Sequence, residues 1–284
     1  MPTDGDTVEG ESTEGEMMGE QPEMMEQPEL PVPILEDINL SGMIEIDAFG
    51  DSIVRGVGDG TSIGEEVEVA PRPSGEAGFP LRIENLLGLP VSNLGDPGER
   101  LSSQGLIRFI ETVLPRRSDF VIISGGTNDA IDLIDREDFF RSIQTLVNLA
   151  RANGISPILA TVPPTCCENS GIEPIIRGYN QEVRTLAAIN ELPLADVARA
   201  YDNTCGTRSC FLLNRPEGIH PNTIGYDTSG EVFIATLLNI DIFAPDGPSL
   251  LAQALDLPAS DIITVPDPAP PAPATRNSEL ALAH

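Results

Sequence analysis

A serine hydroxyl becomes a useful nucleophile only when a base within hydrogen-bond reach removes its proton. The chain has two histidines, and since His284 is its last residue, a base inside the folded body has to be His220. The serine best placed to partner it is Ser52, in Phe49-Gly50-Asp51-Ser52, straight after the alternating apolar segment Met43 to Ala48. That context puts the hydroxyl at a strand-to-helix junction, where free backbone N–H groups favour developing negative charge. Acyl transfer also needs donors for a tetrahedral oxyanion. Gly98 can offer an unobstructed backbone N–H, Asn128 its carboxamide hydrogens, and Ser52 its own N–H. Each also has a plainer reading, the serine as a helix cap and the glycine and asparagine as turn residues. Their joint occurrence, in order and each after a strand, points to chemistry.

The elements that must hold them are legible from Met43 onward, where apolar strand-like runs alternate with helical patterns. That alternation predicts a parallel sheet covered by helices on both faces. Strands are expected over Met43–Phe49, Pro90–Asn93, Phe120–Ile123, Ile158–Val162 and Leu194–Val197. Helices are expected over Phe79–Leu87, Leu101–Val113, Glu137–Ala152, Pro174–Asn190 and Ile224–Leu238, with Ser249–Leu257 as a docked extra. In the third of these, Phe140, Ile143, Leu146 and Leu149 keep helical spacing and Asn153-Gly154 closes the helix. Ligand sites in open parallel sheets gather at the carboxyl ends of strands. Gly50-Asp51-Ser52, Asn93 to Gly98 and Gly126-Thr127-Asn128-Asp129 all fall there, and Glu217 to Asn222 precedes the last large helix.

Taken together, these four segments resemble the blocks of the SGNH hydrolases, the GDSL lipase and esterase family. Gly50-Asp51-Ser52, Gly98, Gly126-Thr127-Asn128-Asp129 and Glu217-Gly218-Ile219-His220 match its pattern in order across residues 43 to 240. The resemblance implies an α/β fold, a flavodoxin-like three-layer α/β/α sandwich with a central parallel sheet. It implies a carboxylic ester hydrolase that uses no cofactor. It also implies Ser52 as nucleophile, His220 as base, and Ser52 N–H, Gly98 N–H and Asn128 as the oxyanion hole. One position departs: the family's aspartate before the histidine is Glu217 here. A carboxylate there orients the imidazole and stabilises its cation. An added methylene displaces it by about 1 Å, which costs up to ~100-fold in rate unless the loop compensates or a backbone carbonyl serves instead. Activity should fall on acidification, as the imidazole takes up a proton.

Composition narrows the partners. The formal net charge is -29 and all 16 basic residues are arginine. Such a field repels phosphate backbones and anionic lipid surfaces, so no nucleic-acid partner is expected, and lysine-based chemistry is excluded. No apolar run reaches the roughly 18 residues of a membrane span. A small-molecule, glycan or lipid ester is the expected partner, and the same site chemistry serves short aliphatic esters, thioesters or acetylated sugars. Oligomeric state stays open. The adjacent Cys166 and Cys167, with Cys205 and Cys210, are poorly spaced for a tetrahedral zinc site and better spaced for disulfides. Reduced buried thiols are the other reading. A cross-link between the two pairs would brace the histidine loop, a local Cys205–Cys210 bridge is the other pairing, and sequence does not choose between them. Disulfides would place the protein outside the cytosol, secreted or periplasmic, with its export signal absent from this chain.

Three regions follow. Residues 1–40 form an acidic leader with too little apolar mass to order itself. Residues 41–243 form the hydrolase domain. Residues 244–284 form a C-terminal extension ending in a Pro/Ala-rich tail. Competing motifs are weaker. Gly60-Thr61-Ser62-Ile63-Gly64 fits a nucleophile elbow without the flanking strand and helix. Gly56 to Gly60 suits a flexible loop better than a dinucleotide cradle. Asp132, Asp135, Glu137 and Asp138 suit a solvated helix start better than a calcium site. The functional alternative is a secreted binding or surface protein that keeps the fold without turnover, a reading motivated by Glu217 and the leader.

Overall fold

A computed structural model describes residues 29–60, 77–205 and 210–267. Most of the acidic leader, the Ser62 motif, His284 and most of the Pro/Ala tail lie outside the described residues.

Five parallel strands form one sheet in the order β2-β1-β3-β4-β5. They are β1 (Ile46–Gly50), β2 (Val91–Gly95), β3 (Phe120–Ser124), β4 (Ser156–Ala160) and the two-residue β5 (Leu194–Ala195). Their side chains alternate between two separate cores, as the period of a strand demands. Ile46 and Ala48 of β1 and Phe120 and Ile122 of β3 point into one core. Phe49, Val121 and Ile123 point into the other. Helices α2 (Gly78–Leu87), α7 (Val197–Cys205) and α8 (Thr223–Leu237) cover the first face, where Phe79 stacks on Phe233 with centroids 3.9 Å apart. The second face is covered by the stretch from Leu101 to Val113, by α5 (Arg136–Ala152) and by α6 (Glu173–Asn190). There Phe139 stacks on Tyr179 at 3.9 Å. This is the three-layer α/β/α sandwich expected from the sequence.

Local departures have local causes. The helix expected over Leu101–Val113 is α3 (Leu106–Arg108) flanked by π-helical turns Leu101–Gly105 and Phe109–Val113. Gly105 N–H donates to Arg100 O and Leu114 N–H to Phe109 O, five residues back in each case. Val197, expected to end a strand, begins α7 instead, because Val197, Ala198, Ala200 and Tyr201 form its buried face. Asp135 caps α5 by accepting from Glu137 N–H at 2.8 Å, and Asp132 pairs with Arg100. α9 (Gly247–Leu255) docks Leu251 into the first core. Upstream of β1, Ile34 N–H donates to Leu237 O at 3.1 Å, so the chain already lies against the body there. No helix among the described residues is long and apolar enough to cross a membrane.

Sheet order reverses beside β1, whose neighbours β2 and β3 leave in opposite directions. The crevice beyond the carboxyl ends of β1 and β3 is where such sheets hold ligands.

Candidate active site

Ser52 opens a single helical turn, α1 (Ser52–Arg55), directly after β1. Asp51 caps it, Oδ1 accepting from Ile53 N–H at 2.9 Å, and Gly56 ends it in the left-handed region at φ 89. The first N–H groups of a helix have no acceptor inside it. Ser52 N–H is one of these. Ser52 O accepts from both Gly56 N–H (3.1 Å) and Val57 N–H (3.0 Å), which fixes the backbone beneath the hydroxyl. The glycine segment that follows, expected to be a flexible loop, is pinned: Tyr226 Oη donates to Val57 O, and Asp59 pairs with Arg82.

The expected pairing is present. Ser52 Oγ and His220 Nε2 lie 2.8 Å apart. On the other side of the ring, Nδ1 sits 2.8 and 2.9 Å from the two Glu217 carboxylate oxygens. The extra methylene is absorbed because the carboxylate folds back over its own loop, where Oε1 also accepts from His220 N–H at 3.0 Å. No backbone carbonyl has to substitute. The loop is braced from both ends: Asn214 N–H donates to His220 O and Gly218 N–H to Asn214 O, each at 2.8 Å.

Of the two cysteine pairings left open by the sequence, the local one is formed and the cross-link between the pairs is not. Cys166 is joined to its neighbour Cys167, and Cys205 to Cys210, so both linkages are local. Cys205 closes α7 and is not part of the histidine loop. The bracing that a cross-link would have supplied comes from polar contacts. Cys166 N–H donates to Gly218 O at 2.9 Å, Glu168 N–H to Pro216 O at 3.2 Å, and Asn169 Nδ2 to Glu217 O at 2.8 Å.

Gly98 lies in a turn closed by Glu99 N–H donating to Asp96 O at 3.1 Å, and its φ of 85 is one a side chain would resist. Asn128 sits in α4 (Thr127–Ile131) after β3 and spends one amide hydrogen on Glu99 O at 3.0 Å. A primary amide has two, so one remains for a ligand. Ser52, His220, Gly98 and Asn128 all line one cavity of about 240 Å³, with Val57, Ile131 and Ile219 among its walls. Glu217 stands behind the imidazole. A larger cavity of about 530 Å³ near β5, lined by Leu194, Ile242 and Phe243 among others, has no serine, cysteine or histidine among the described residues of its walls, so chemistry and not size marks the site.

Three buried acids surround the site; Asp51 and Asp129 lie within the motif segments without a role the sequence could give them, and Glu99 carries no signal in the sequence. Asp51 is fully buried with Oδ2 unpaired, and burial pushes its carboxyl up to about 6 against the pull of the Ile53 hydrogen bond and of His220. Asp129 accepts from Leu101 N–H and Ser102 N–H, both at 3.0 Å. Glu99 is held by Arg108.

Comparisons with known proteins bear on the family and the fold. The GDSL-like lipase/acylhydrolase family model matches residues 48–228. A G-D-S-L family structure from Desulfitobacterium hafniense is 25% identical, with a TM-score of 0.56, covering 68% of this chain and 99% of its own. A lipase/acylhydrolase from Enterococcus faecalis is 24% identical (TM-score 0.54; 69% and 96% covered). An acetyl-xylooligosaccharide esterase mutant from Geobacillus stearothermophilus is 20% identical (TM-score 0.54; 68% and 94% covered). These last two share the fold. No curated protein matches significantly. A family match spanning more than half the sequence, with a serine and a histidine in hydrogen-bond contact at the end of β1, establishes that the chain belongs to the GDSL-like lipase/acylhydrolase family.

Proposed function

We propose that this protein is a serine esterase acting on carboxylic esters through an acyl-enzyme at Ser52. His220 Nε2 takes the hydroxyl proton as Oγ attacks the ester carbonyl. Glu217 holds Nδ1–H and balances the imidazolium charge. The anionic oxygen is met by Ser52 N–H, Gly98 N–H and the spare Asn128 amide hydrogen. On collapse, His220 returns the proton to the alcohol leaving group; the same imidazole then activates the water that frees the acid. The observation that carries this reading is the 2.8 Å contact between Ser52 Oγ and His220 Nε2, with the Glu217 carboxylate on the opposite ring nitrogen.

The reaction domain is read as residues 41–243, enclosing the family match. Secretion or export to the periplasm accords with the Cys205–Cys210 linkage. A fluorophosphonate probe should label the wild-type protein, and both labelling and hydrolysis of chromogenic esters should fall by roughly 10⁴-fold or more in Ser52→Ala. Glu217→Gln should cost ~10²-fold or more in kcat, since an amide cannot offset the imidazolium. Folded wild-type protein that neither labels nor hydrolyses would favour the non-catalytic binding protein. Activity that survives Ser52→Ala and is lost in Ser62→Ala would move the nucleophile to the other serine motif.

A further inference from the structure

Glu99 stands between the two oxyanion donors that side chains and loops supply. Its peptide follows Gly98 directly, and its carbonyl takes the Asn128 amide hydrogen. Its side chain is only 1% exposed. Burying an acid is costly unless a partner compensates, and loss of solvation does push this carboxyl up, with Arg108 pulling the other way. The partner is specific. Arg108 Nε donates to Glu99 Oε2 at 2.6 Å and Nη2 donates to Oε1, a two-pronged match of guanidinium to carboxylate.

Arg108 uses its remaining reach on the sheet. Nη1 donates to Leu94 O at 2.8 Å and Nη2 to Gly50 O at 3.1 Å, carbonyls at the ends of β2 and β1. Its guanidinium lies 4.2 Å from the centroid of the Phe49 ring. Gly50 precedes Ser52 by two residues. A single planar cation therefore ties the loop bearing Gly98, and through Glu99 O the Asn128 amide, to the strand end from which the nucleophile departs.

We propose that the buried Glu99–Arg108 pair is the positioning unit of the oxyanion hole, setting the distance from Gly98 N–H and Asn128 Nδ2 to Ser52. The inference rests on the serine-esterase reading. Neither side chain touches substrate; both act through the donors they hold.

Arg108→Lys tests it by keeping a cation that cannot make the planar fork, and Glu99→Gln by keeping the shape without the charge. Each is compared with wild type for ester hydrolysis, for affinity toward a small alkylboronic acid that adds to serine as a tetrahedral adduct, and for thermal unfolding. Rates are expressed per folded molecule. In both variants kcat should fall ~10- to 100-fold, as expected for donors displaced by a fraction of an ångström to 1 Å. KM should stay within about twofold, because substrate binding in the ground state does not use the oxyanion donors. Boronate affinity should weaken by the same factor as kcat, and the acidic limb of the pH profile should not move, since His220 and Glu217 are untouched. The pair has no such role if the folded variants keep kcat within about threefold of wild type, if the whole loss lies in KM, or if it vanishes on scaling to folded protein. Failure of the esterase reading looks different: wild type itself would hydrolyse no ester and bind no boronate.

Discussion

Gly218→Ala probes the site without altering any group that would take part in chemistry. Gly218 has φ 72, and a Cβ there would overlap the carbonyl oxygen of Cys166, lying 2.7 Å from its carbonyl carbon and 2.8 Å from its sulfur. Van der Waals contacts settle near 3.5 Å and the closest approach, to the Cys166 carbonyl oxygen, is tighter still, so the two loops must separate by roughly 1 Å. Cys166 has little room to retreat, being 3% exposed, joined to Cys167 and tied to Gly218 O by its own N–H. The histidine loop must move instead. It carries Glu217 one residue before and His220 two after, so the 2.8 Å contact with Ser52 Oγ opens towards the limit of a hydrogen bond. A misplacement of about 1 Å costs up to ~100-fold, so kcat/KM should drop by ~30- to 100-fold. Left-handed backbone strain adds about 1–2 kcal/mol to the cost in stability. Steady-state hydrolysis of a chromogenic acetate, paired with a thermal melt, measures both. A folded Gly218→Ala protein with kcat/KM within about threefold of wild type would refute the argument that this glycine sets the histidine loop.

Asp51 gives a pH dependence of stability. Its folded value of about 6 lies above the 3.8 of an ordinary aspartate, so between those values the folded state binds the extra proton. Stability from this group is therefore greatest below about 3.8 and declines as pH rises through about 6, by roughly 2–3 kcal/mol in all. Asp51→Asn keeps an acceptor for Ile53 N–H and removes the charge; it should melt higher than wild type at pH 8 and lose this part of the pH dependence. An unchanged pH profile of Tm would count against it. The cavity volume predicts a limit on acyl length. About 240 Å³ is the space of roughly eight water-sized groups at ~30 Å³ each, enough for a butyryl ester and not for a long chain. Four further buried methylenes at ~0.8 kcal/mol each would raise kcat/KM more than a hundredfold from butyryl to octanoyl; the expected series is flat or falling, and a steep continued rise would disprove it.

The strands and long helices were legible because burial writes a period into the sequence. β3 is a continuous apolar run, and α5 has its caps and its spaced apolar face. Ser52 and His220 could be paired on paper because the body holds one histidine. Shorter features left weaker marks. α7 buries only Val197, Ala198, Ala200 and Tyr201, all in its first half and too few for a period, and α4 begins at Thr127 without a side-chain cap. The π-helical turns around α3 depend on which carbonyl each N–H reaches, which spacing alone does not encode. Glu99 and Arg108 were invisible for another reason: in so acidic a chain one more glutamate reads as solvated surface, and only the folded positions of Gly50 and Leu94 give its partner something to hold. Cysteine pairing stayed open because four cysteines allow three connectivities and spacing does not choose among them, while the contact between the two loops is made by backbone amides.

The two cores flanking the sheet divide the proposed labour. Glu217 and His220 feed into α8, rooted in the core of Phe79, Val232 and Phe233. Gly98 and Asn128 lead into helical segments rooted in the opposite core through Leu101, Phe109 and Phe139. Ser52 leaves the seam between them. Damage to packing is thus sorted by side: a void behind α8 disturbs proton traffic, and a void behind Phe109 or Phe139 disturbs the cradle for the charged oxygen. Remote substitutions that look alike in a melting curve would then be told apart by which half of catalysis fails.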